Sequence, residues 1–138
     1  MLATFAFDVC HDVYRAAREV IDTKIPTLNL ESSGKYTWHP DRLPRLGEYV
    51  CDFARAGERA LGAHTQARAS RMVMFRVYYL GGAEYQAARR HLGISELTWA
   101  DWAEEIRMRV GRELTRSGVF PPSKYFRGVS VSAPENAA

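Results

Sequence analysis

The residues able to hold a metal or activate a nucleophile are few and scattered. Cys10 and His11 are adjacent, and with Cys51 and one further histidine they would complete a tetrahedral zinc set. A zinc site favours closer ligand spacing, so the two cysteines read instead as thiols of a reduced protein, joined in no disulfide framework. Asp8 and Asp12 stand one helical turn apart and could share a cation, although on an amphipathic helix such a pair forms a solvated face. His11, His39, His64 and His91 are otherwise isolated. No phosphate-cradling Walker loop, dinucleotide fingerprint or nucleophile elbow is present. The expectation is therefore a binding protein without catalytic residues, metal or cofactor, rather than an enzyme.

What remains is charge and shape. The 138 residues are 46% hydrophobic and 25% charged, the balance of one compact globular domain. No apolar run is long enough to cross a bilayer. The opening "MLATFAFDVCHDVYRAAREV" meets Asp8 and Asp12 too early for a secretory leader, so a cytoplasmic protein without membrane contact is expected. The net charge of +3 permits a nucleic-acid partner without requiring one. Lysine occurs only at Lys24, Lys35 and Lys124, so the cations are nearly all arginine. Codon bias in a GC-rich genome gives that pattern, and it leaves the guanidinium forks equally able to bind phosphate.

These side chains must be positioned by helices. Phe5, Val9, Val13, Ala16 and Val20 recur at helical spacing over 3–22. A Pro-rich loop at 23–45 follows; within it a small hairpin across Ser32-Ser33-Gly34 is one option, with Tyr36 and Trp38 tucked into the core. A second helix is expected over 46–61 on Leu46, Tyr49, Val50, Phe53, Ala60 and Leu61. A third runs from a Thr65 cap to Gly81-Gly82, and a fourth over 83–92. The fifth begins after Ser95 and runs to Arg116, weakened only by Gly111. An extended Pro121-Pro122 turn then returns Tyr125 and Phe126 to the helices, where they anchor the end of the chain or offer a stacking platform for single strands. The reading is all-α, about five helices: 1–64 as the N-terminal helical part, 65–127 as a C-terminal helix-turn-helix region, and 128–138 as a flexible tail.

The stretch "ARRHLGISELTWADWAEEIRMRV", 88–110, holds the sharpest signal. Gly93 suits the positive φ of a tight reversal, Ser95 suits a helix cap, and Trp99 one turn on suits a brace between the two helices. In this context "FRVYYLGGAEYQAARRHLGISELTW" resembles the C-terminal promoter-reading domain of bacterial sigma factors and related phage and mobile-element regulators. The resemblance covers roughly 68–116. It implies a helix-turn-helix whose second helix reads duplex DNA through Ser95, Glu96, Leu97, Ala100, Asp101 and Glu104. Arg89, Arg90, His91 and Arg107 would then lie on phosphates, and dimerisation through the N-terminal half would match paired half-sites.

Two features depart from that family's pattern. Arg89 stands where a small residue usually lets the helices approach, so the helices cross differently or the arginine snorkels outward. Glu96, Asp101 and Glu104 place acids on the face meant for an anionic duplex; one can accept from cytosine, but several oppose the phosphate field. Arg68, Arg71, Arg76, Arg109, Arg112 and Arg116 ring this face, either gripping phosphate or pairing with acids such as Glu105. Two functions follow. The first is a DNA-binding transcriptional regulator; the second is a protein-interaction module docking its acidic 96–105 face on RNA polymerase or another nucleic-acid enzyme, as an inhibitor or antitermination-type factor.

Overall fold

A computed structural model describes residues 2–24, 43–62 and 66–126. The 25–42 part of the expected loop with Tyr36, Trp38 and His39, the Thr65 cap, His64 and the 128–138 tail lie outside the described residues. Every regular element among those described is helical, in agreement with the all-α expectation: α1 Leu2–Lys24, α2 Leu43–Leu61, α3 Gln66–Met74, α4 Tyr85–Leu92 and α5 Glu96–Arg116. A π-helical turn, Phe75–Leu80, extends α3, and a 3₁₀ helix, Pro122–Phe126, follows α5.

α5 forms the spine of the fold, and α1 and α2 pack on it and on each other. The core is aromatic at its centre. Phe7, Cys10 and Tyr14 of α1 meet Tyr49 and Phe53 of α2, Phe75 and Tyr79 of the π turn, and Ile106, Val110 and Leu114 of α5. Phe53 stacks on Tyr14 at 4.8 Å, and Phe7 meets Tyr79 edge-on at 5.2 Å. Such ring pairs add about 0.5–1.5 kcal/mol each beyond the area they bury.

The buried face of α1 differs from the expected stripe. Ala6, Phe7, Cys10, Tyr14 and Ala17 are buried with the expected Val20, and Val13 packs against the core, whereas Phe5 is 57% exposed and rests edge-on against Phe120. Tyr14 and Cys10, weak hydrophobes by composition, take the core positions because α1 is wedged between two helices. The approach to α5 is close enough that a Cβ on Gly111 would collide with the backbone carbonyl of Ala3. The helix-weakening glycine is thus the site where α1 crosses α5.

The third helix widens to a π turn instead of continuing as an α-helix. Carbonyls at its end have no partner within the helix, and α1 supplies partners. The Tyr14 hydroxyl donates to the Leu80 carbonyl at 3.1 Å, and His11 Nε2 lies 2.9 Å from the Tyr79 carbonyl. Burial holds the His11 imidazole below its ordinary pKa. The expected extended Pro-Pro turn is instead the 3₁₀ helix, but its aromatics do fold back. Tyr125 packs edge-on against Tyr49 at 4.9 Å and donates its hydroxyl to Asp52 at 2.7 Å.

Candidate nucleic-acid interface

α4, Gly93 and α5 form the region that the sequence singled out. Glu84 starts α4 by accepting from the Ala87 amide at 3.0 Å. The backbone N–H groups of Gln86 and Ala87 hold its carboxyl below the usual range. Gly93 then adopts φ 68° and ψ 36°, the left-handed conformation that reverses the chain, with its N–H on the Arg89 and Arg90 carbonyls. Ser95 caps α5 by accepting from the Thr98 amide at 3.1 Å. Trp99 is buried and meets Tyr78 and Tyr85 edge-on at 4.9 and 5.1 Å. The turn, the cap and the brace all lie where their residue types place them.

At about 100° per residue, Glu96, Leu97, Ala100, Asp101 and Glu104 span about 140° of the helix, opposite Trp99, Trp102 and Ile106. All five outer residues are exposed, and Leu97 is 81% exposed. Glu96 and Asp101 make no ion pair among the described residues, while Glu104 lies 3.3 Å from Arg107. Ser95 uses its hydroxyl within the cap, where it also donates to Thr98 Oγ1.

The four expected phosphate contacts divide into two kinds. Arg90 and His91 are exposed on α4 and make no ion pair among the described residues. Arg89 is half-buried, and its two arms donate to the Ile94 carbonyl at 3.2 Å and to Gln86 at 2.9 Å. It thereby clasps the turn, a role distinct from both expectations for a bulky residue there. Arg107 grips Asp8 of α1 through two bonds of 3.0 and 2.8 Å. Its pKa is raised by that carboxylate. Asp8, read from sequence as a solvated or metal-binding residue, therefore tethers α1 to α5 across 99 positions, a link without local signal.

The surrounding arginines are largely paired. Arg71 bonds Glu105 at 3.0 Å and lies over the Trp102 ring, Arg76 pairs with Glu58, and Arg109 lies 3.9 Å from Glu105. An open cavity of about 440 Å³ beside α2 and the 3₁₀ helix is lined by Arg45, Glu48, Asp52, Lys124 and Tyr125 among others. It brings charges of both signs together, with the Tyr125 hydroxyl held on Asp52. Cys10 is buried, with its thiol pushed up to about 11 by burial, and Cys51 is exposed. Among the described residues no three His, Cys, Asp or Glu side chains group to hold a metal, and no helix is long and apolar enough to cross a membrane. Comparisons with known protein families, curated proteins and solved structures find no match to this chain.

Proposed function

We propose that the protein is a DNA-binding transcriptional regulator of phage or mobile-element type, acting in the cytoplasm through recognition rather than catalysis. The observation that carries this reading is the left-handed Gly93 turn leading into a Ser95-capped α5 whose outer face is free of the core. A helix presented this way fits a major groove at its N-terminal end. Leu97 would meet a thymine methyl, and Glu96 or Asp101 would accept from a cytosine amino group. Arg90 and His91 serve as the phosphate contacts. Arg89 and Arg107 contribute by fixing the turn and the angle of α5, since their forks are already held within the molecule. Two copies on paired half-sites would double the contact.

The test is titration of a duplex at several salt concentrations. A salt-steep affinity, with a shallower slope after Arg90→Ala, is the expected result. Absence of duplex binding at low salt would overturn the reading.

One observation favours a second reading. The exposed Leu97 lies among Glu96, Asp101 and Glu104, an apolar knob in an acidic rim suited to a basic protein surface such as RNA polymerase. Asp101→Lys with Glu104→Lys separates the two. A DNA reader keeps or gains non-specific duplex affinity, whereas a docking module loses binding to purified RNA polymerase.

A further inference from the structure

We propose that the far end of α5 carries a separate phosphate-binding cleft, formed by Arg109, Arg112 and Arg116 against Ala60 of α2. These arginines recur at i, i+3 and i+7, within about 60° of one another around the helix. The cleft they line with Ala60 and Glu113 measures about 240 Å³. A water occupies about 30 Å³ in the liquid, so a phosphate group fits there with residual hydration.

The charge is arranged for an anion. Glu113, half-buried, is the carboxylate lining the cleft, and it is already engaged twice: Arg116 donates to it at 2.6 and 3.0 Å, and Arg59 at 2.9 Å. Those two guanidiniums hold its carboxyl below the usual range, Arg116 the more strongly. They thereby keep Glu113 ionised, and it in turn fixes the Arg116 fork in place. Arg112 makes no ion pair among the described residues and stands one turn from two like charges, an arrangement that repels. Arg109 shares Glu105 with Arg71 at the longer distance, 3.9 against 3.0 Å. Arg116 spends two of its nitrogens on Glu113, so Arg112, with Arg109 beside it, is the guanidinium left to meet the oxygens of a tetrahedral dianion. Among the described residues that line the cleft there is no aromatic ring to stack on a base. The group recognised is phosphate itself, whether free or in a nucleic-acid backbone.

This proposal is independent of the duplex-reading face. The test uses inorganic phosphate on the full chain. Phosphate should raise the melting temperature saturably above a chloride control of equal ionic strength. Arg112→Ala, which removes a guanidinium outside any ion pair, should weaken phosphate binding at least tenfold. Arg15→Ala, an exposed cation on α1 outside the cleft, should leave it unchanged. Equal melting in phosphate and chloride, unaltered phosphate affinity in Arg112→Ala, or an equal loss in Arg15→Ala would each overturn the cleft. A duplex titration distinguishes the sources. If the cleft takes a backbone phosphate, Arg112→Ala lowers the salt slope by about one. If it takes free phosphate, the slope is unchanged while phosphate binding still falls.

Discussion

The two halves of α5 share one unbroken helix and opposite circumstances. From Ile106 onward the helix is fixed: Ile106, Val110 and Leu114 are fully buried between α1 and α2, and each contributes about 1.5–3 kcal/mol of apolar burial. Before Ile106 the same helix touches the rest of the fold along one seam, at Trp99 and its partly buried neighbours, and shows acids and Leu97 to solvent. The inner half secures the structure, while the outer half is braced along one side and turns exposed side chains to solvent on the other. That division suits a recognition element, because contacts with a partner change without loss of the scaffold that aims them.

Four measurements would break or sharpen this contrast. Trp99→Ala removes the one buried anchor of the outer half and should cost about 3–5 kcal/mol in urea unfolding. A loss under about 1 kcal/mol would mean the outer half stands without its brace. Gly111→Ala forces α1 away from α5 at Ala3 and should cost about 1–3 kcal/mol by the same measurement.

A smaller, pH-confined loss should come from His11. Its folded pKa lies below the ordinary 6.5, so the unfolded chain binds the proton more readily. Stability from this group is complete above about pH 6.5 and falls as the pH drops towards the depressed folded value. His11→Gln, which does not titrate, should flatten the stability profile between pH 7 and 5. An unchanged profile would remove His11 as its source. The smallest effect belongs to the outer face: Leu97→Ala and Asp101→Lys should each shift stability by no more than about 0.5 kcal/mol. A larger drop would show that this surface supports the fold.

Local signals were legible where one residue type does one task. Gly93, Ser95 and Trp99 perform the turn, cap and brace their types imply, and α5 runs over the residues expected. The α2 stripe of Leu46, Tyr49 and Phe53 was equally readable. Illegible features depend on partners far along the chain. The face of α1 was misjudged because aliphatic spacing pointed to Phe5 and Val9, while Tyr14 and Cys10 are drawn inward by aromatic neighbours on α2 and the π turn. Glu84 as a cap breaks the usual preference for shorter side chains. For the candidate site, sequence marked the exposed face correctly in position, but Asp8 and Ile94, the groups that engage Arg107 and Arg89, became evident only from the fold.

The Asp8–Arg107 clasp also has a consequence in time. Its two ends leave the ribosome 99 residues apart, so α1 has α2 and the π turn to pack on first, through Phe53 and Tyr79, while its α5 side waits. Closing so long a loop comes late and slowly. During that interval the face of α1 that carries Ala3 and Asp8 stays uncovered, and a chain ended before Arg107 would keep α1 on α2 but lack the helix that closes its other side.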